Sequence, residues 1–164
     1  MKDFDWTQFT RKIAIGASVQ TLYDAWTIPA EIEQWFLSNA TYLTSEGTPV
    51  SKTEAVAKGL TYQWQWYLYD VTESGTIREA NGKDQFQFTF AGDCVVDVSF
   101  KAYDKGTIAT LTQSGIPSDN ASKKNIRLGC DHGWSFYLLN LKSVYEGGID
   151  LRNKDPQLKP MLNN

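Results

Sequence analysis

The residues that first invite a chemical reading are Asp131 and His132, adjacent in the run Gly129-Cys130-Asp131-His132-Gly133. A carboxylate beside an imidazole is raw material for a general base. On a helix, however, neighbouring side chains point about 100° apart, so Asp131 cannot orient His132 by adjacency. With Cys130 and Trp134 facing inward, both fall on the helix flank, where a solvated surface is expected. Cys130 has only Arg127 as a basic neighbour one turn away, too little to make a reactive thiolate. Glu73, Glu79 and Asp97 lie on strands or turns without a partner in sequence, so no acid–base pair is expected. The chain has one histidine and two cysteines, Cys94 and Cys130, and these do not make a ligand set for a metal. No glycine-rich phosphate loop is present. The expectation is no catalytic residue, no metal and no cofactor.

Aromatic residues are what the chain has in excess: six Trp, eight Tyr and eight Phe among 164 residues. Their setting is acidic, with a net charge of −3, which argues against a general nucleic-acid binder that needs a basic stripe. No apolar run approaches the roughly 20 residues of a membrane span. The opening Met1-Lys2-Asp3-Phe4-Asp5-Trp6 lacks the apolar centre of a signal peptide. Both cysteines are therefore expected to be buried, reduced thiols of a cytoplasmic protein. The length suits a single domain over 1–164, with a core over about 7–148 and an irregular tail over 149–164.

Periodicity supplies the elements that must position these rings. Residues 7–15 alternate as a strand, with Phe9, Arg11, Ile13 and Ile15 on one face. Ser18 is placed to cap a helix bearing Val19, Leu22, Tyr23 and Trp26 on one stripe. Pro29 opens a second short helix with Ile32, Trp35 and Phe36 at helical spacing. Sheet is expected from about 38 to 116, in strands at 40–44, 55–58, 60–70, 76–80, 85–91, 94–101 and 107–113. Ser74-Gly75 and Asn81-Gly82 are read as turns between them. Tyr62, Trp64, Trp66 and Leu68 share a face of one strand, as do Phe86, Phe88 and Phe90 of another. Residues 122–146 return to helical spacing, and Gly147-Gly148 ends the helix. The order predicts an α+β domain: an antiparallel meander with one dry face, covered by the long C-terminal helix.

Particular residues also carry a family resemblance. Trp26 with Pro29 and Ile32 is followed by Trp35-Phe36, and Gly59 precedes an aromatic strand. Then come Gly75-Thr76-Ile77, Phe86-Gln87-Phe88, Val96-Asp97-Val98, Thr110-Leu111-Thr112, Gly133-Trp134 and Leu138 through Lys142. Over roughly residues 9–148 this pattern resembles the activator-of-Hsp90-ATPase homologue branch of the START-like (SRPBCC) superfamily. The resemblance implies the helix-grip fold, a curved antiparallel sheet wrapped around a C-terminal helix, with two short helices after the first strand. It also implies a choice among carriers of hydrophobic molecules, chaperone activators and aromatic cyclases. The separate N-terminal domain of the eukaryotic chaperone activators has no counterpart in this sequence.

A strongly curved sheet gripping a helix encloses space wherever the lining side chains do not fill it. The expected lining is Trp64, Trp66, Phe88, Phe90, Val98, Phe100 and Leu111 from the sheet. Trp134, Tyr137, Leu138 and Leu141 would cover it from the helix, with Trp35 and Phe36 near an opening. Each of these residues would equally serve a solid core, because burying one such side chain stabilises by roughly 1.5–3 kcal/mol. The leading expectation is non-catalytic binding of a small hydrophobic or aromatic molecule. A chaperone-interaction module is the second reading. An aromatase- or cyclase-like enzyme is the third, and it requires a polar residue such as Arg11, Arg78 or Asp97 deep among the rings. Gly129 and Gly133 have a spacing that marks close packing by a neighbouring element, although Gly133 beside Trp134 also leaves room beneath the helix.

Overall fold

A computed structural model describes residues 4–164. The chain begins with β1 (Phe9–Ile15), α1 (Val19–Thr27) and α2 (Pro29–Trp35). Six more strands follow: β2 (Asn39–Leu43), β3 (Thr61–Gln65), β4 (Thr72–Ala80), β5 (Gln85–Thr89), β6 (Val95–Tyr103) and β7 (Gly106–Ser114). The long C-terminal helix closes the order, and the whole is the predicted helix-grip arrangement. All strand pairs are antiparallel, in the spatial order β1-β7-β6-β5-β4-β3-β2. Only β1 lies out of sequence order, returning to pair with β7 and so closing the meander at its far edge.

The sheet has one dry face, as its alternation requires. Tyr62 and Trp64 of β3, Phe86 and Phe88 of β5, and Val96 and Val98 of β6 are all 1% exposed or less. On α1, Leu22, Tyr23 and Trp26 turn toward that face. The Ser18 hydroxyl accepts from the Thr21 amide and satisfies one free N–H of the helix start. Ile28 ends α1 and begins α2, with Pro29 in the first helical position, where its missing N–H costs nothing. The Trp35 indole donates to the Ala25 carbonyl at 2.9 Å, which locks the second helix across the first.

Three sequence expectations need correction. The 55–58 segment is not a strand: only Val56 is buried, and its amide bonds the Thr27 carbonyl at the end of α1. The strand expected over 60–70 stops at Gln65, because the chain must reverse before β4 and Leu68 takes a left-handed backbone (φ 67°). Ser74-Gly75 is not a turn but lies inside β4. There the Tyr62 hydroxyl crosses over Gly75 to donate to the Thr89 carbonyl at 2.6 Å, spanning two strand spacings. The glycine supplies the room, since a Cβ at position 75 would stand 2.6 Å from that hydroxyl.

Residues 149–164 form no helix or strand, yet they are fastened to the body of the domain. Arg152 is 8% exposed and donates to the carbonyls of Glu33, Gln34 and Leu37 at 2.9–3.0 Å. Those carbonyls end α2, where helical partners run out, so the guanidinium serves as a C-terminal cap supplied from afar. Asp150 holds the same guanidinium at 2.8 Å. Burial pushes the Asp150 carboxyl up, but bonds from Arg152, Lys154 and Asn140 outweigh it and hold it below the ordinary carboxylate range. Asn140, fully buried on the C-terminal helix, donates to the Trp35 carbonyl and accepts from the Leu151 amide. The tail is thereby fastened to both helices.

That C-terminal helix is continuous through three segments: α-helical Asn120–Ser122, π-helical Lys123–Leu128, and α-helical Gly129–Gly147. Asp119 caps its start, and Gly148 in the left-handed conformation (φ 72°) caps its end. The π-turn carries Arg127, which is buried over the rings of Phe4 and Phe9 and pairs with Asp131 at 2.8 Å. Arg11 joins the same carboxylate from β1, so the base of the helix is tied to the first strand. For β4, the Gly75→Ala variant is expected to lose about 1–3 kcal/mol of stability through overpacking. A urea melt of the variant beside the parent measures it, and an unchanged midpoint would remove the role given to Gly75.

Candidate functional site

Indole and phenyl rings fill the space under the sheet on one side and leave it open on the other. Trp26 packs edge-on to Trp35 (4.7 Å), Tyr62 stacks on Trp64 (3.9 Å), and Trp64 meets Phe88 at 5.0 Å. All five residues of this group are 1% exposed or less. Trp134 is the next ring along. It touches Trp26, Phe36, Phe88 and Phe90 at 4.9–6.2 Å, and its indole N–H donates to Gln113 of β7 at 2.9 Å.

Beyond Trp134 the helix and the sheet diverge around a cleft of about 570 Å³. Of the thirteen residues predicted to line a cavity, Phe36, Trp66, Phe90, Trp134 and Tyr137 do line this one. The other eight do not. Trp35, Trp64, Phe88, Val98, Phe100, Leu111, Leu138 and Leu141 lie in packed core, each 4% exposed or less. Sequence reasoning missed the outer rim, which is made by Tyr69 and Val71 of the β3–β4 loop and by Met161 and Leu162 of the tail. No periodicity marks either segment, and the first was absorbed into an overlong strand.

The helix wall of the cleft carries Cys130, Trp134, Phe136 and Tyr137, with two bare positions among them. Gly129 and Gly133 both face it, and a Cβ at Gly133 would meet no atom within 4 Å. Their spacing therefore does not serve close packing of another element. Tyr137 on the same wall donates to the Asn164 carbonyl at 3.3 Å and so ties the tail across the mouth.

Polar groups on the walls are few: Glu73, Asn125, Cys130, His132 and Asn164. Glu73 shares the inward face of β4 with Gly75 and Ile77 and stands opposite Trp64 in the strand register. Its Oε1 accepts from the Ala91 amide at 2.7 Å, which steadies the hairpin between β5 and β6. Burial pushes the Cys130 thiol up to about 11, against a smaller pull from the Gln113 amide, and the Glu73 charge adds to the rise. Cys94 is raised by burial as well, and both cysteines are free thiols. His132 is exposed, whereas Asp131, expected on a solvated flank, is largely buried in its two arginine pairs. The residues named for a cyclase-like site lie elsewhere: Arg11 and Arg78 are exposed, and Asp97 accepts from Gln85 and Gln87 on the outer face.

A family model described as activator of Hsp90 ATPase homolog 1-like protein (AHSA1) matches residues 16–146. The chain belongs to the AHSA1 family. That span runs from the end of β1 almost to the end of the C-terminal helix and leaves the tail outside the match. Protein SSP2350 from Staphylococcus saprophyticus has the same fold at 19% identity (TM-score 0.68, 88% of this chain and 96% of that one). The Aha1 dimer from Colwellia psychrerythraea follows at 16% identity (TM-score 0.67, 86% and 97%). An AHSA1-like protein from Aeromonas hydrophila matches at 19% identity (TM-score 0.61, 89% and 97%). A search of curated proteins returned no match. Among the described residues no helix is long and apolar enough to cross a membrane.

The elevated Cys130 thiol makes a direct prediction for this AHSA1 member. Two units above the ordinary thiol, it holds about a hundredfold less thiolate at neutral pH. Alkylation of Cys130 by iodoacetamide is expected to be slow at pH 7 and to keep accelerating up to about pH 11. Peptide mass mapping of the labelled protein reads the rate, and fast labelling at pH 7 would contradict the assignment.

Proposed function

We propose that this AHSA1 protein binds a small hydrophobic or aromatic molecule in the cleft between the sheet and the C-terminal helix, without catalysis. The observation that carries the reading is the glycine wall. An interior helical glycine costs about 1 kcal/mol relative to alanine, and nothing in the fold crowds position 133. A helix selected for stability alone would carry alanine there. Glycine instead keeps open a space whose volume falls within the roughly 300–1,000 Å³ of small-molecule sites. The remaining walls are mainly rings, which offer apolar area and, at Trp and Tyr, a polar edge suited to a mixed ligand.

Native mass spectrometry of freshly purified protein is expected to show a carried-over small molecule as added mass. Gly133→Ala is expected to raise stability by about 0.5–1 kcal/mol. Gly133→Leu fills the cleft and is expected to abolish the added mass while the protein stays folded by circular dichroism. Retention of the bound species by Gly133→Leu would defeat the proposal.

A second reading rests on the family model's own description, that of a chaperone ATPase activator. It places the function on the outer surface, so stimulation of the cognate chaperone's ATPase is expected to survive Gly133→Leu. Absence of stimulation by the parent protein would dismiss it.

A further inference from the structure

The walls of the cleft have a charge pattern that a purely apolar ligand does not explain. Among the described lining residues there is no lysine or arginine, and the one carboxylate side chain, Glu73, sits half-buried on the aromatic face of the sheet. Among the described residues Glu73 has no salt-bridge partner, and its one hydrogen bond, from Ala91, occupies Oε1 alone. A neutral ligand filling the cleft would strip water from this carboxylate without replacing it, which is costly for an unpaired charge. An anionic ligand would add repulsion. Around the same space stand Phe36, Trp66, Phe90 and Trp134, whose π-faces are themselves electronegative.

Elsewhere the protein fills such ring faces with its own cations. Arg127 lies 4.8 Å from the ring centres of Phe4 and Phe9, Lys123 lies over Trp6, and Arg152 and Lys154 share Tyr67. The rings of the cleft have no such partner within the described chain. The field of Glu73 is also felt across the space, where it helps to keep the Cys130 thiol protonated.

We propose that the cleft takes an organic ammonium cation carrying an apolar body, with the Glu73 carboxylate as counter-charge and the rings of Phe36, Trp66, Phe90 and Trp134 as a cage. This rests on the ligand-binding reading and narrows its chemistry. The ammonium restores to Glu73 the partner that desolvation removes, and the apolar body occupies the space left by Gly129 and Gly133.

Three probes sharing one phenylbutyl body test it by isothermal titration: 4-phenylbutyltrimethylammonium, its neutral isostere with carbon in place of nitrogen, and 5-phenylpentanoate. The cation is expected to bind about tenfold more tightly than the neutral isostere, as a desolvated cation–π contact with a counter-charge implies. The carboxylate is expected to bind worst. Glu73→Gln keeps an amide oxygen for the Ala91 N–H, so the hairpin is preserved, and it is expected to bring the cation down toward the neutral probe. Equal binding of cation and isostere by the parent, or a preference that survives Glu73→Gln, would overturn the ammonium assignment and leave hydrophobic binding standing. Failure of all three probes to bind would overturn the ligand-binding reading together with it.

Discussion

The contact of Trp134 with the sheet sets how the C-terminal helix lies, and most other features depend on it. Its indole N–H donates to Gln113 on β7, and its ring meets residues of α1, β5 and the chain just after α2 and β5. Aromatic pairs of this kind contribute about 0.5–1.5 kcal/mol each beyond the area they bury. A polar bond at the edge of the same ring makes the arrangement directional, because the indole cannot slide without leaving Gln113 unpaired in the interior. The helix is thereby held close to the sheet at one point along its length. On one side of that point the side chains interlock, and on the other they stop short.

The division into a solid half and an open half has a compositional cause. Toward the C-terminal end of the helix, Leu138 and Leu141 reach down to the sheet and α2 closes the gap with Trp35 and Ile32. Toward its start the helix presents Gly129 and Gly133, and the wide π-turn precedes them. The Arg11–Asp131–Arg127 network then anchors this sparsely packed end to β1 and the residues before it. Charge pairs do there what apolar packing does at the other end. An ion-paired base lets the helix remain fixed above an unfilled space.

Much of this was legible in the sequence. The alternation of Tyr62 with Trp64, and of Phe86 with Phe88, identifies the dry face because strand geometry allows only two sides. Ser18, Pro29 and Asn81-Gly82 work through local chemistry and needed no knowledge of distant contacts. What could not be read depended on partners far away in the chain. Gly75 signals a turn by propensity, yet its role comes from a tyrosine hydroxyl passing overhead. Arg152 looks like a surface charge until three carbonyls ending α2 are placed beside it. The cleft rings divide in the same way: parity placed them all inward, but parity says nothing about how near the helix comes. The overlong strand hid Tyr69 for a related reason, since the reversal at Leu68 is imposed by pairing with β4.

The tail gives the site a property that the core alone would lack. Its rim residues, Met161 and Leu162, belong to a loop closed on itself through Asn153, which bonds Asn163 and Asn164, and carried on the Arg152 anchor. None of these rim side chains takes part in the interlocked interior. Changes of length or sequence beyond Arg152 therefore reshape the mouth at little cost to folding. The inheritance of the fold and the inheritance of the cleft's rim are separable here. A lineage with this scaffold can remodel the mouth of the cleft by drifting in the last dozen residues, while the tryptophans beneath stay under the constraint of packing.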